Sequence, residues 1–264
     1  MTWIEALLLG LLQGLTEFLP VSSSGHLELG GVLFDLQDPE SFFTFNIFVH
    51  GATFASVGVV FFNDMKSLVA NLFKFKWNAE TRFALLLLVS AVPVGIVGVL
   101  FEKQIESLFS GRIVLVGFML LITATLLFLT KLVKKGNNDI TLGRAILIGL
   151  AQTVAVLPGI SRSGATISTA LLLGVDRQKA IRFSFLMVLI PIFGANFLKL
   201  TRMSGEFSAS ATGIVPLVIG VVAAFVAGLV ACKWMLDIVR KGNIAYFSIY
   251  CLAIGMAAII IGML

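Results

Sequence analysis

The chain has 264 residues, 58% of them hydrophobic and only 12% charged, with two cysteines and a formal net charge of +5. An ordinary soluble domain carries about 25% charged residues, so a soluble enzyme, a disordered chain and a disulfide scaffold are excluded and a polytopic membrane protein remains. The basic excess is scattered over short loops rather than gathered in one patch, which argues for membrane topology and against a nucleic-acid partner.

No basic region precedes the first apolar run, so no cleavable signal peptide is expected and Met1 is read as the start of the mature chain. That first run, residues 6–34, is cut near its middle by Glu17, Pro20 and Ser22-Ser23-Ser24-Gly25-His26. Charge-free runs follow at Ser41–Asn63, Phe83–Phe101 and Ile113–Thr130, each near the roughly 20 residues that a spanning helix needs. A second broken region, residues 145–174, is interrupted by Pro158-Gly159 and then by Ser161-Arg162-Ser163-Gly164. Three more runs close the chain, Phe183–Leu198, Phe207–Cys232 and Gly242–Leu264. The first of these is short, with Pro191 as a kink point and Arg182 and Lys199 placed to snorkel. Cys232 and Cys251 lie in apolar runs and are read as buried thiols.

Neither half of a broken region is long enough to cross a bilayer. Irregular backbone at membrane depth is tolerated only where it is buried in protein or lines a wet cavity. Both regions are therefore expected to be helix–loop–helix hairpins that enter and leave on one side. The loop charges test this. With both termini outside, the inner loops hold Lys66, Lys74, Lys76 and Arg82, then Lys131, Lys134, Lys135 and Arg144, then Arg177, Lys179 and Arg182, then Lys233, Arg240 and Lys241. The outer loops hold only Lys103, Arg112, Lys199 and Arg202. The positive-inside rule thus supports this arrangement, and counting either broken region as a full span would destroy the bias.

The two broken regions also resemble each other. Without a gap, Gly10, Leu11, Gln13, Ser22, Ser24 and Gly25 align with Gly149, Leu150, Gln152, Ser161, Ser163 and Gly164. The expected fold is an all-α polytopic membrane protein with an inverted-topology repeat: six transmembrane helices plus two re-entrant hairpins. Residues 1–264 form a single integral membrane domain, with repeat one at 1–134 and repeat two at 135–264. Three spans per repeat invert the second hairpin relative to the first, so the polar tips can meet near the midplane.

Ionisable residues inside a membrane are costly and mark function by default. Here they are Glu17, His26 and Arg162, with Glu5, Glu28 and His50 as outliers. Arg162 between Ser161 and Ser163, with Thr166 one turn on, is read as an oxyanion or phosphate site. A plain structural bridge to Glu17 needs no such cluster of hydroxyls. Gln13 and Glu17 share one helix face, and Glu17 is read as a metal ligand or general base. His26, following Ser22-Ser23-Ser24-Gly25, is read as an acid/base group or nucleophile. Some of these serines are expected only to satisfy freed backbone groups. One of them can bind phosphate or attack phosphorus. His50, in a span without other charge, is read as a hydrogen-bonded core histidine.

The segments Gln13-Gly14-Leu15-Thr16-Glu17, Pro20-Val21-Ser22-Ser23-Ser24-Gly25-His26 and Pro158-Gly159-Ile160-Ser161-Arg162-Ser163-Gly164-Ala165-Thr166 resemble the signatures of the undecaprenyl-diphosphate phosphatase family of the bacitracin-resistance type. The likeness covers essentially the whole chain. It implies a multi-pass hydrolase of the bacterial inner membrane with its active site facing the periplasm. Such an enzyme converts undecaprenyl diphosphate to undecaprenyl phosphate, recycles the lipid carrier for peptidoglycan synthesis and confers bacitracin tolerance. The resemblance also implies a divalent cation, Mg²⁺ or Ca²⁺, held by Glu17, and a homodimer. It puts Glu17, Ser23, His26 and Arg162 in catalysis and Gln13, Ser22, Ser24, Gly25, Ser161, Ser163 and Thr166 at the substrate. Two departures stand out: Gln13 replaces a carboxylate that many members carry, and His50 stands where Gln is expected. The residues leave open whether Ser23, His26 or water is the nucleophile. They also leave a competing class, a proton-coupled transporter or flippase of a lipid phosphate or other anion, because inverted repeats with broken helices are common in transporters.

Overall fold

The computed structural model describes residues 1–36, 38–74, 76–108, 112–194 and 213–263, and these are helical with short connections. Helix α1 (Trp3–Phe18) starts at a capping box in which the Thr2 hydroxyl accepts from Glu5 N and the Glu5 carboxylate accepts from Thr2 N. It stops before Pro20 because the residue ahead of a proline is driven out of helical geometry, and Leu19 is extended. α2 (Ser23–Leu33) follows after a break of four residues, capped by Ser22. Next come α3 (Pro39–Val60), α4 (Phe62–Leu72), α5 (Ala79–Leu100), α6 (Glu102–Glu106) and α7 (Ile113–Leu129). The second broken region gives α8 (Leu142–Val154) and α9 (Arg162–Leu172), separated by Pro158 and by Gly159 at a φ of 98°. Helices α10 (Arg177–Met187), α11 (Ile214–Lys241) and α12 (Phe247–Met263) complete the described chain.

Five described helices are long and apolar enough to cross a membrane, Ser41–Val60, Ala79–Leu100, Ile113–Leu132, Ile214–Lys241 and Ile244–Met263. The sixth expected span, Phe183–Leu198, lies partly outside the described residues. Its described part breaks at Val188 and resumes over 189–194. Pro191 explains the break, because its ring clashes with the carbonyl four residues earlier. The expected span Phe207–Cys232 also begins outside the described residues, and its helix continues to Lys241 rather than stopping at Cys232. Lys233, Arg240 and Lys241 suit the C-terminal end of a helix dipole and need not end it. The run Ser41–Asn63 ends as a spanning helix at Val60, and the short α4 with Asp64 and Lys66 was not foreseen.

Packing is reciprocal between the two halves of the chain. α1 and α3 lie against α11, whereas α8 and α10 lie against α5, and α7 runs along α12. Glycine permits two close helix crossings: a Cβ added at Gly10 would lie 2.3 Å from the Gly220 carbonyl oxygen, and one at Gly149 would lie 2.4 Å from that of Ser90. Small residues at such crossings let membrane helices approach backbone to backbone. Gly149→Leu is therefore expected to destabilise the fold by about 3 kcal/mol or more, lowering the thermal unfolding midpoint in detergent. Gly143→Ala, with nothing within 4 Å of the added carbon, is the control and is expected to leave that midpoint unchanged or raise it.

The loops rich in basic residues gather at one end. Asn138 N donates to Gly174 O at 3.0 Å and Asp176 N to Asn138 O at 3.1 Å. Lys179 pairs with Asp139, and this hydrogen bond with its charge holds the Asp139 carboxyl below the usual carboxylate range. Arg182 donates to Asp64 at 2.6 Å and Glu80 at 3.1 Å and lies over the Phe83 ring. The Arg177 guanidinium packs against Gly242 at the end of α11. At the opposite end of α3, residues Met1, Thr2 and Glu5 share a rim with Phe34, Asp35 and Ser41. The two ends of each broken region therefore meet, those of α1–α2 at one end of the bundle and those of α8–α9 at the other.

Candidate active site

The two breaks touch in the interior. A Cβ added at Gly25 would lie 3.1 Å from Gly159 Cα, and one at Gly164 would lie 3.3 Å from Pro20 Cβ. Ser163 donates to the Leu19 carbonyl at 3.2 Å, and Thr123 of α7 bridges the second break by donating to Gly159 O and accepting from Ser161 N. The tips repeat one construction. Ser22 Oγ accepts from Gly25 N at 3.3 Å and lies 3.4 Å from Ser24 Oγ, while Ser161 Oγ accepts from Gly164 N at 3.0 Å and lies 3.2 Å from Ser163 Oγ. Ser22 and Ser161 are thus N-caps, as expected for some of the serines. Ser22 holds a φ of 70°, unusual for a residue with a side chain. Such strain, about 1–3 kcal/mol, tends to collect at functional sites.

Both capped helices present free N–H groups and the positive ends of their dipoles to this junction. Glu17, at the last turn of α1, is its focus. One carboxylate oxygen accepts from Ser23 Oγ at 2.5 Å and from Gln13 Nε2 at 2.9 Å, and the other lies 3.5 Å from an Arg162 guanidinium nitrogen. The Glu17 side chain is 6% exposed and that of Arg162 28%, so the carboxylate is buried and the guanidinium keeps an open side. Arg162, Ser163, Thr166 and Glu17 line a cavity of about 20 Å³.

The structure brings Gln13, Glu17, Ser23 and Arg162 together but turns His26 away. His26 Nδ1 lies 2.8 Å from the Ser22 carbonyl, which can only accept, so that nitrogen carries the proton. In the neutral ring Nε2 is then the acceptor, and the Tyr250 hydroxyl donates to it at 2.8 Å, with the two rings stacked 5.6 Å apart. Tyr250→Phe is expected to lower stability by about 1–2 kcal/mol, the cost of an unpaired buried nitrogen. Phosphate release by this variant is expected to stay within about tenfold of the parent, and thermal unfolding and turnover measured side by side check both expectations.

His50 is not simply a core histidine. Nδ1 bonds its own helix at Asn46 O, 2.8 Å away, but Nε2 faces Glu17 at 3.8 Å. Thr53, one turn on, accepts weakly from Gln13 at 3.4 Å.

The family model of the bacitracin resistance protein BacA matches residues 6–257. The chain belongs to this family. A relative from Christiangramia forsetii, named undecaprenyl-diphosphatase, is 53% identical over 97% of each chain. Relatives bearing the same name from Bacteroides fragilis and Salinibacter ruber are 47% identical over all of each chain and 42% identical over 97% of each. The BacA match spans both tips.

A divalent cation is the cofactor that the resemblance implies, and the residues fit a hard cation. Glu17 offers a carboxylate, and Oε1 of Gln13, buried beside it, has no hydrogen-bond partner among the described residues. Among the described residues no group of three His, Cys, Asp or Glu side chains assembles. The remaining donors for such an ion would come from substrate phosphate and water, the usual pattern for Mg²⁺.

Proposed function

We propose that this chain is a membrane hydrolase that converts undecaprenyl diphosphate to undecaprenyl phosphate, and so recycles the lipid carrier for wall polymers. Membership of the BacA family and the names of its relatives support the substrate. The observation that carries the chemistry is the 2.5 Å hydrogen bond from Ser23 Oγ to a buried Glu17 carboxylate. A nucleophile joined to its base in this way is what acyl and phosphoryl transfer to serine requires.

In the first half-reaction Glu17 takes the Ser23 proton as Oγ attacks the terminal phosphorus, and undecaprenyl phosphate leaves. Arg162 and the N–H groups opening α2 and α9 neutralise charge on the transferred group, which is the main work in phosphoryl transfer. In the second half-reaction water attacks the phosphoserine, Glu17 returns its proton to Oγ, and dihydrogen phosphate departs. A divalent cation at Glu17 and Gln13 would add further charge neutralisation. Ser163, Thr166 and Ser24 are read as phosphate contacts. Ser22, Ser161 and Gly25 shape the tips that present them, and His26 with Tyr250 braces α2.

The meeting ends of α1–α2 and of α8–α9, and the reciprocal packing of the two halves, support the inverted repeat with two re-entrant hairpins. The basic loops collected at one end of α3 support a cytoplasmic face there. The site then opens to the periplasm of a bacterial inner membrane, with both termini outside. Trapping tests the reaction. Protein denatured in neutral detergent during turnover of diphosphate labelled in its terminal phosphate is expected to carry a label that survives acid and that alkali removes. An alkali-stable label would point to His26, and no label would point to water directed by Glu17. A transporter has no use for the covalent species.

A further inference from the structure

The cavity beside Arg162 is closed on its far side by α10, which contributes Ser184. Ser184 is 5% exposed, and its hydroxyl has no hydrogen-bond partner among the described residues. This contrasts with most hydroxyls on the neighbouring helices; Ser168 of α9 is also unpaired but does not line the cavity. Thr16, Ser56, Ser90 and Thr166 each turn back onto a carbonyl of their own helix at 2.6–2.9 Å. Ser184 could close on its own helix in the same way and does not. Leaving a buried hydroxyl unpaired is unfavourable, and Ser184 lines the cavity, so a guest there that accepts a hydrogen bond would satisfy it.

The size and lining of the cavity describe that guest. About 20 Å³ holds something the size of one oxygen. The Arg162 guanidinium and the Thr166 side chain share the space, so the oxygen is anionic. Glu17 and Ser163 complete the polar side of the wall, and the other side is apolar, with Phe18 and Phe185 in contact at a centroid distance of 5.7 Å and Val188 beyond. An oxygen bound beside Ser184 lies between the Arg162 guanidinium and the apolar residues Phe185 and Val188 that α10 adds to the wall. We propose that Ser184 donates to a non-bridging oxygen of the phosphate esterified to the prenyl chain, which the product retains. Ser184 is thus a binding residue for the lipid-side phosphate, an inference that rests on the hydrolase reading.

This assignment separates binding from chemistry, and stability from function. Ser184→Ala removes a hydroxyl that satisfies nothing in the protein, so the thermal unfolding midpoint in detergent is expected to hold or rise. The KM for a prenyl diphosphate is expected to rise about tenfold, with kcat within about twofold, since the contact is equal in ground and transition states. The affinity for undecaprenyl monophosphate, measured by direct titration, is expected to fall by the same factor, while inhibition by inorganic phosphate does not change. Ser184→Thr, which keeps the hydroxyl, is expected to recover most of the affinity. An unchanged KM and monophosphate affinity in folded Ser184→Ala would overturn the proposal, leaving the cavity as a water site. A parallel loss of inhibition by inorganic phosphate would overturn it too, by moving Ser184 to the terminal phosphate. Turnover by the parent protein is the separate check on the hydrolase reading, and the monophosphate titration reads Ser184 whether or not turnover is observed.

Discussion

Ser23→Ala is expected to lower kcat for phosphate release by on the order of 10⁶-fold, the scale seen when a serine nucleophile is removed from an otherwise intact site. The fold is expected to survive. Ser22, not Ser23, caps α2, and its bond from Gly25 N is independent of the neighbouring side chain. Glu17 keeps Gln13 and Arg162 as partners when the Ser23 hydroxyl is gone. Removing one neutral donor to a carboxylate costs about 1–2 kcal/mol of stability, too little to unfold an ordinary domain. The measurement is a progress curve of phosphate release by purified protein, beside a thermal scan and the covalent-label assay. The variant should lose both rate and label together. Residual turnover within tenfold of the parent would remove Ser23 from the reaction and leave His26 or water as the nucleophile, which the label assay separates. Glu17→Gln sharpens the result, because it keeps an acceptor for Ser23 but cannot take the proton.

Much of this site could be read from the chain because membrane burial makes polar residues conspicuous. Glu17, Ser23 and Arg162 lie in interrupted apolar runs, where neither composition nor helix periodicity has a use for them, and they meet in space. The break at Pro20 placed the end of α1 for a local reason, the exclusion of the pre-proline residue from helical geometry, and the serines that follow each break cap α2 and α9. What was missed depends on partners far along the chain. His50 seemed a core residue because its span holds no other charge, yet the group it faces is the Glu17 carboxylate of α1. Tyr250 is 224 positions from the His26 that it holds, and no local pattern marks it. Ser184 sits among apolar neighbours on an ordinary helix turn, and its distinction is a bond not made. Charge misled at the end of α11, where Lys233 was read as a stop but a helix terminus accepts basic residues willingly. It misled again at α4, whose mixed polarity falls outside any search for spans.

Arg162→Lys is the second large effect expected, a loss of about 10²–10³ in kcat/KM, the range for removing a preorganised donor from a phosphoryl or oxyanion site. The charge remains, but an ammonium cannot reproduce the planar fork that reaches a carboxylate and phosphate oxygens at once. In the structure one guanidinium nitrogen lies 3.5 Å from Glu17, and the cavity lined by Ser163 and Thr166 takes the rest of the head group. Arg162→Ala is a poorer probe alone. It strands the buried Glu17 carboxylate, and breaking such a pair costs about 3–5 kcal/mol. The pair of variants resolves the ambiguity. Arg162→Ala combined with Glu17→Gln removes both charges, so its unfolding midpoint is expected to recover most of what Arg162→Ala loses, and its turnover is expected to stay absent. Arg162→Lys should keep a near-parental midpoint while losing rate. If instead Arg162→Lys retained kcat/KM within twofold, the arginine would be a counter-ion to Glu17 and nothing more. The phosphate site would then have to be built from the two helix N-termini and the serines alone.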